Sequence, residues 1–375
     1  MKISIVGSRG IPNRYGGFEA FAEHLSKRLA DCGHDVRVYC RKPFTTPTDI
    51  FDQRIQRVIL PSLRSKHLDT PFHTFLSALH VSFGDSDVVV MVNVANSLWA
   101  WIPRMFRKPV ALNVDGLDRK RKKWGPLARA VLRICEWISV VAPTRIVTDS
   151  ETARQYYLQR YHKPTTMIGY GAEVPDRLSG DELERYKLTR GAYFLYVSRL
   201  EKENNPELVI REYKTARPSW PLVIVGGNAY DESYVKYLES LAGPGVIFCG
   251  PIYGDGYWTL LRNAGVFIFG CEVGGIHPAL IEALAAGRAV LYLDTPANRE
   301  TAADSGVPFV RTPGDLAFRM TSLAQADASR TVLGERAAAR ARLLYGWDRV
   351  AAQYQSLCLE MLHQDQAIPI EKGQA

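Results

Sequence analysis

The chain has 375 residues, enough for two or three domains, and 46% of them are hydrophobic and 23% charged. This composition excludes a disordered, collagen-like or coiled-coil protein, and six cysteines without a Cys-x-x-Cys pair argue against a disulfide scaffold or a zinc ribbon. The net charge of +8 favours an anionic partner, such as a nucleotide, a nucleic acid or an acidic membrane face. A strand-like start and the lack of an uninterrupted apolar run of membrane-spanning length predict a cytoplasmic protein.

Short apolar strands alternate with amphipathic helices along the first half of the chain. The first strand ends at Gly7, and the helix after it has an apolar face that includes Phe21, Leu25 and Leu29. Strands are predicted at 3–6, 36–40, 88–92, 110–113 and 145–148. Further helices are predicted at 72–83, 128–141 and 151–161.

The same alternation restarts after the polar, turn-rich stretch 175–191. Strands are predicted at 193–197, 221–225, 245–248, 266–270 and 289–293. Helices are predicted at 206–215, 233–241, 257–262, 278–286, 316–344 and 347–363. Strands that alternate with helices form parallel sheets covered on both faces, so the pattern predicts an α/β fold of two Rossmann-like, doubly wound domains.

The first candidate site is the glycine-rich loop that begins at Gly7. It lies at the carboxyl end of the first strand, where parallel sheets bind ligands, and Gly16 and Gly17 open a helix whose N-terminus attracts phosphate. The dinucleotide fingerprint G-x-G-x-x-G is absent. On the glycines alone, a turn without a ligand-binding role is as good an interpretation as a phosphate-binding loop.

The second candidate site is Asp115 with the basic run 119–123. Asp115 follows a predicted strand, so it also falls at a carboxyl edge and is placed to orient or deprotonate a hydroxyl. The basic run is suited to a diphosphate or to anionic lipid heads. The alternative is a solvated charged face.

Two more candidate sites lie in the second half of the chain. Arg199 follows a strand, and its planar fork suits two phosphoryl oxygens. The turn 274–277 precedes a helix, so the amides of residues 275–277 are placed to bind phosphate, and Glu282 one turn later can accept hydrogen bonds from ribose hydroxyls. The alternatives are a solvent-exposed Glu282 and a capping His277.

These motifs together resemble the family-4 retaining glycosyltransferases of the GT-B fold. The resemblance rests on Gly-Gly-Ile-His-Pro at 274–278 with Glu282, and on the blocks 11–19, 115–120 and 199–205. Those three blocks resemble the subgroup of bacterial rhamnosyltransferases that build cell-surface glycans. Tyr-Gly-Trp-Asp at 345–348 resembles the start of the helix that crosses back to the first domain in GT-B enzymes.

The resemblance implies an acceptor-binding domain at 1–180, a nucleotide-sugar-binding domain at 181–345, a crossover helix at 346–363 and a flexible tail at 364–375, with the two domains facing a crevice. It implies catalytic roles for Asp115, Arg199 and Glu203. It implies that the nucleotide sugar is bound by Gly16, Gly17, Arg199, Lys202, Asn204, Tyr253, Gly274, Gly275, Ile276, His277 and Glu282. It implies that the acceptor is bound by Glu19, Arg119 and Lys120.

The resemblance implies transfer of L-rhamnose from dTDP-L-rhamnose to a polyprenyl-diphosphate-linked saccharide, without a cofactor or a metal. The chain departs from the wider family at Gly274, where that family carries Glu, and at Asn204, where it carries Lys. Both departures fit the subgroup. Asp-Ser-Asp at 85–87 spells a metal-binding motif, but it precedes a strand and is interpreted as a turn.

Membrane contact is expected at the basic run 119–123 and at the mixed basic and apolar stretch 57–66, which predicts a peripheral protein on an anionic membrane face. The alternatives for 57–66 include a core strand. Three other functions remain open: a GT-B transferase that uses UDP-glucose or GDP-mannose, a nicotinamide oxidoreductase, and a nucleic-acid-binding protein. The missing fingerprint argues against the oxidoreductase, and the lack of aromatic residues within the basic run argues against nucleic acid.

Overall fold

The computed structural model describes residues 1–13, 16–63, 68–116, 125–228 and 231–366. The chain forms two compact units. The first unit comprises Met1–Tyr170 and Trp347–Ala375, and the second comprises Gly171–Gly346. The boundary in the structure therefore falls at residue 170, ten residues before the boundary expected from the sequence.

The first unit is built on a parallel sheet of seven strands. The strands are β1 Lys2–Val6, β2 Asp35–Arg41, β3 Ile55–Leu60, β4 Val88–Val92, β5 Val110–Asn113, β6 Arg145–Thr148 and β7 Thr166–Met167, in the order β3-β2-β1-β4-β5-β6-β7. The helices are α1 Gly17–Asp31, α2 Asp69–Phe83, α3 Trp101–Met105, α4 Pro126–Val141 and α5 Glu151–Tyr161. The last helix of the chain, α14 Trp347–Gln366, also belongs to this unit.

The second unit is built on a parallel sheet of six strands. They are β8 Phe194–Val197, β9 Leu222–Val225, β10 Val246–Gly250, β11 Val266–Phe269, β12 Ala289–Leu293 and β13 Val307–Phe309, in the order β10-β9-β8-β11-β12-β13. The helices are α6 Glu182–Arg185, α7 Pro206–Ala216, α8 Glu232–Leu241, α9 Gly254–Asn263, α10 Pro278–Ala285, α11 Pro296–Ala302, α12 Asp315–Gln325 and α13 Asp327–Leu344. The predicted fold class, two doubly wound α/β domains, is confirmed.

The central strands are apolar on both faces because helices cover both sides of each sheet. All five residues of β4 and of β12 are buried. An aromatic cluster in the first unit fixes α14 against α1: the ring of Phe21 lies 5.2 Å from that of Tyr354, and His24 stacks on Trp347 at 4.8 Å. The last helix therefore completes the core of the first unit.

Some details differ from the sequence expectations. The single helix expected at 316–344 is two helices, because Ala326 has non-helical backbone angles and separates α12 from α13. The last helix extends to Gln366, and the remainder of the expected tail lies outside the described residues. Short strands β7 and β13 and helices α3, α6 and α11 were not anticipated, and β3 was anticipated only as one of the alternatives for 57–66.

The stretch 57–66 does not form a membrane-facing segment along its whole length. Val58 and Leu60 belong to β3, which pairs with β2, and both side chains pack against the core of the first unit. Residues 64–67 lie outside the described residues. Within the part of the chain that the structure describes, no helix is long and apolar enough to cross a membrane.

Candidate active site

Two loops of the second unit lie side by side at the carboxyl edge of its sheet. One loop follows β8 and carries Arg199, and the other follows β11 and carries the turn 274–277. Strands β8 and β11 are hydrogen-bonded neighbours at the point where the strand order reverses. Ligands of open α/β sheets bind at this position.

Hydrogen bonds join the two loops. The side-chain amide of Asn205 donates to the carbonyl of Gly270 at 2.8 Å and to Glu272 Oε1 at 3.1 Å. The backbone N–H of Glu272 donates to the carbonyl of Glu203 at 3.0 Å. Since the bonded residues lie more than 60 positions apart in the chain, the sheet brings the two loops together and these bonds then hold their geometry.

The charged residues of the first loop have different surroundings. The Arg199 side chain is half-exposed, and its Nη1 lies 3.5 Å from Glu201 Oε1, so the guanidinium remains accessible to an anion. The Lys202 ammonium instead lies 5.7 Å from the centre of the Tyr234 ring, against α8. Arg199 is therefore the better placed of the two predicted cations for a diphosphate.

Asn204 and Glu203 are both buried. The Asn204 amide donates to the carbonyl of Arg199 at 2.7 Å, which fixes the backbone from which the Arg199 side chain projects. The predicted donor-binding residue Asn204 therefore positions the loop in this structure. The buried carboxyl of Glu203 lies next to it in the chain, and the Glu203 backbone carries the bond to the second loop.

The turn 274–277 has a conformation that requires glycine. Gly274 has φ +151°, and a Cβ atom there would lie 2.4 Å from the imidazole of His277. The His277 carbonyl accepts hydrogen bonds from Leu280 and Ile281, and its ring packs on Phe269 at 5.1 Å. Pro278 occupies the first position of α10, so the turn ends at a helix N-terminus, where unpaired amides and the helix dipole favour phosphate.

Glu282 lies one turn into α10 and is partly buried, so it is not the freely exposed carboxylate that the sequence left open. The hydroxyl of Tyr257 on α9 donates to Glu282 Oε2. Burial raises the pKa of Glu282 above its ordinary value, and burial together with this carboxylate raises the pKa of Tyr257. Tyr253, the predicted base contact, is exposed at the start of α9.

In the first unit, the glycine loop follows β1 where the strand order also reverses. A Cβ atom at Gly7 would lie 2.6 Å from both the Asn96 amide and the Val92 carbonyl, so the backbone approaches β4 more closely than a side chain allows. Glu19 is buried, and its Oε1 accepts a hydrogen bond from the Arg9 backbone at 2.7 Å. The predicted acceptor residue Glu19 therefore holds the glycine loop in this structure, and burial raises its pKa.

Asp115 is the centre of a polar cluster after β5. It has φ +57°, and its N–H donates to Asn113 Oδ1 at 2.9 Å. The Tyr170 hydroxyl donates to Asp115 Oδ1 at 3.3 Å, and the Asn113 amide donates to the Tyr354 hydroxyl at 2.9 Å. Burial, with Asp115 and the buried Asp149 nearby, raises the pKa of Tyr170 well above its usual value.

Tyr170, Tyr354, Asp149 and Tyr257 were not among the predicted site residues. Tyr170 and Tyr354 lie far from Asp115 in the chain, so no local spacing signals them. Asp149 follows β6 as Asp115 follows β5, so its position after a strand could have identified it as a candidate site residue. Gly16 and Gly17 lie at the start of α1, whereas the predicted acceptor residues Arg119 and Lys120 lie outside the described residues.

The Asp-Ser-Asp segment at 85–87 lies at the amino end of β4, between α2 and that strand. Asp85 Oδ2 lies 2.6 Å from the Lys2 ammonium and Asp85 also pairs with Arg37, while Asp87 accepts a bond from the Lys2 backbone at 2.7 Å. These carboxylates are therefore paired with Lys2 and Arg37 at the amino end of the strand, and they do not lie at the carboxyl edge where ligands bind. Among the described residues, no group of three or more His, Cys, Asp or Glu side chains is arranged to hold a metal ion.

Comparison with known proteins identifies the family. Residues 183–340 match the family described as Glycosyl transferases group 1, and residues 15–172 match Glycosyltransferase Family 4. Together the two matches cover most of the chain, which belongs to the family-4 glycosyltransferases of the GT-B fold. No curated relative matches the chain significantly.

Solved structures share the fold. A sucrose-phosphate synthase from Thermosynechococcus elongatus superposes with a TM-score of 0.79 at 18% identity, over 97% of this chain and 99% of that one. HepE from Anabaena in complex with UDP and glucose gives a TM-score of 0.76 at 13% identity, over 96% and 100% of the two chains. A glycosyltransferase from Rickettsia africae gives 0.72 at 13% identity, over 96% and 98%.

Proposed function

We propose that this glycosyltransferase retains anomeric configuration, needs no metal, and transfers L-rhamnose from dTDP-L-rhamnose to a polyprenyl-diphosphate-linked saccharide in the synthesis of a bacterial cell-surface polysaccharide. It acts in the cytoplasm as a peripheral protein on the inner membrane face. The observation that carries the donor half of the proposal is the bonded pair of loops, of which one carries Arg199 and the other leads into the N-terminus of α10.

The chemistry follows from the charge that develops on the departing diphosphate. Hydrogen bonds hold the loop backbone that carries Arg199 and the loop that leads to the amides of residues 275–277 before the reaction, so the loops need little reorganisation to stabilise this charge. Glu282 accepts hydrogen bonds from the ribose, and Tyr253 contacts the base. Retention by attack on the same face of the sugar requires no protein nucleophile, because a donor phosphate oxygen takes the acceptor proton.

The first unit supplies the acceptor site in this proposal. Asp115 is held in a left-handed backbone conformation by Asn113, and a non-glycine residue in that conformation is typical of functional sites. Its carboxylate, bonded to Tyr170, orients the acceptor hydroxyl or assists its deprotonation. The basic run 119–123, which follows Asp115 in the sequence, binds the acceptor diphosphate.

Donor hydrolysis across matched dTDP-, UDP- and GDP-sugars tests the donor. We expect dTDP-L-rhamnose to be hydrolysed fastest, and EDTA to have no effect. Arg211→Ala is a matched control for Arg199→Ala, because Arg211 is also an exposed, ion-paired arginine of the second unit. Preference for UDP-glucose would show that the proposed rhamnose donor is wrong and that the donor is the one present in the HepE complex. Turnover of no nucleotide sugar would refute the proposal.

The acceptor is tested separately by transfer to polyprenyl-diphosphate saccharides, and NMR of the product gives its anomeric configuration. An inverted linkage would refute the retaining mechanism. Transfer to a free sugar with the same efficiency as to the lipid-linked one would refute the lipid-linked acceptor.

A further inference from the structure

Helix α4 of the first unit carries apolar residues on its outward side as well as on the side that packs against the core. Its inward side carries Leu132, Cys135, Glu136 and Ser139, which are buried. Its outward side carries five large apolar residues that are between 47% and 80% exposed. We call these residues the outer face of α4: Leu127, Val131, Ile134, Trp137 and Val141.

Polar contacts on the inward side fix this orientation. The Glu136 carboxylate accepts hydrogen bonds from the hydroxyls of Tyr156 and Tyr161, the latter at 3.0 Å. The Ser139 hydroxyl lies 3.0 Å from that of Tyr157. Turning the helix to bury its outer face would expose the apolar contacts of Leu132 and break this buried network. The outward apolar stripe is therefore a fixed feature of the fold, and a contiguous exposed stripe of this kind marks an interaction surface.

Helix α3 also has exposed apolar side chains. Trp101 and Met105 of that helix are exposed. Between them in the chain, Arg104 donates to the carbonyl of Ala142, the residue that ends α4, at 2.8 Å. This bond ties the two helices at one end of the outer face.

A basic pocket borders the outer face. It has a volume of about 240 Å³ and is lined by Arg133, Tyr156, Arg160 and Tyr161. Arg133 lies one helical turn before Trp137, and among the described residues neither arginine has an ion-pair or hydrogen-bonded partner. The Glu136 carboxylate is the negative group nearby, and the two tyrosine hydroxyls already engage it. The sequence adds five consecutive basic residues, 119–123, just before α4.

We propose that the outer face of α4 lies in the interface of an anionic phospholipid bilayer, with a lipid phosphate in the pocket of Arg133 and Arg160. Apolar and tryptophan side chains on one face with arginines at its border are the composition of helices that lie in a membrane interface. The positive border complements anionic headgroups. This proposal deepens the membrane location proposed above by assigning it to a specific helix, and it does not depend on the identity of the donor.

Co-sedimentation with vesicles tests the proposal on the full chain. The wild-type protein should bind vesicles of phosphatidylcholine and phosphatidylglycerol, and should bind pure phosphatidylcholine much more weakly. The double variant Ile134→Ser with Trp137→Ser should bind the anionic vesicles at least about tenfold more weakly, because two apolar side chains no longer enter the interface. Arg133→Glu with Arg160→Glu should reduce binding by at least about tenfold and should remove the preference for anionic lipid.

Two controls match these changes in the second unit. Phe318→Ser with Leu343→Ser removes two large apolar side chains that are somewhat more exposed than Ile134 and Trp137, and Arg336→Glu with Arg342→Glu makes the same change in charge as the α4 variant. Both controls should bind vesicles as the wild type does. All variants should hydrolyse donor in solution at the wild-type rate. If the glycosyltransferase proposal is wrong, the wild type turns over no donor but still binds vesicles, so the two failures are distinguishable. Leu127→Ser provides a milder variant at the helix start if the double variant unfolds.

Three outcomes would overturn the proposal. One is unchanged vesicle binding in the α4 variants, and another is equal loss in the α4 variants and the controls. The third is concentration-dependent self-association of the wild type, abolished by Ile134→Ser with Trp137→Ser, without vesicle binding. That result would assign the outer face to a second copy of the chain.

Discussion

Replacement of Gly274 by alanine tests whether the turn 274–277 binds the donor phosphates. A Cβ atom at this position would lie 2.4 Å from the His277 ring, whereas ordinary contact begins at 3.4 Å, so the ring and the turn must separate by about 1 Å. A non-glycine residue at φ +151° adds about 1–3 kcal/mol of backbone strain. Displacement of about 1 Å in groups that position a reacting substrate costs about 100-fold in rate.

We therefore expect Gly274→Ala to lower kcat/KM for donor hydrolysis by about 100-fold and to weaken the binding of the nucleoside diphosphate. Calorimetry and steady-state kinetics measure the two effects. Gly191→Ala is the matched control, because Gly191 also has a positive φ in the second unit but has no atom within 4 Å of its hypothetical Cβ. It should lower stability without a comparable loss of activity. If Gly274→Ala keeps wild-type affinity and turnover, the turn does not bind the phosphates.

Further predictions concern Arg199 and Glu282. Arg199→Ala should raise the barrier to transfer by about 3–4 kcal/mol. Its melting temperature should stay near that of the wild type, because the half-exposed side chain pairs with Glu201 at 3.5 Å and surface ion pairs of this kind contribute little to stability. Turnover within a few-fold of wild type would remove Arg199 from the site. Glu282→Gln should weaken the binding of the nucleoside diphosphate more than it lowers kcat, because ribose contacts are equal in the ground and transition states. Unchanged affinity by calorimetry would contradict the ribose role of Glu282. The pKa of Glu282 is raised in the folded state, so the folded protein holds this proton after the unfolded chain has released it. The wild-type free energy of unfolding should therefore fall relative to that of Glu282→Gln as the pH rises above 4.5, and parallel urea-unfolding curves from pH 4 to 8 would show that the raised pKa is wrong.

The two α/β domains, and the strand ends at which the candidate residues lie, can be inferred from the amino-acid sequence. Short apolar strands ending in glycine or charged residues are local signals, and the carboxyl ends of parallel strands meet at one edge by geometry. Arg199, Asp115 and the turn 274–277 could be found for that reason. The break between α12 and α13 could not, because Ala326 is a strong helix former whose non-helical conformation has no local signal.

The contacts that set the chemical surroundings of these groups depend on tertiary packing and could not be inferred in the same way. Tyr257 and Glu282 lie on different helices, and their bond depends on how α9 and α10 pack. The partners Asn205 and Gly270 are separated by 65 positions, so no sequence spacing predicts their hydrogen bond.

The orientation of α4 also depends on tertiary packing. Periodicity alone assigns the apolar residues of a helix to the core. In the folded unit, Glu136 and Ser139 face inward, where tyrosines of α5 satisfy them, and Ile134 and Trp137 face outward. The sequence contains both faces of the helix, but the choice between them depends on which hydrogen-bonding partners the neighbouring helix supplies, because a buried polar group is stable only when it is paired.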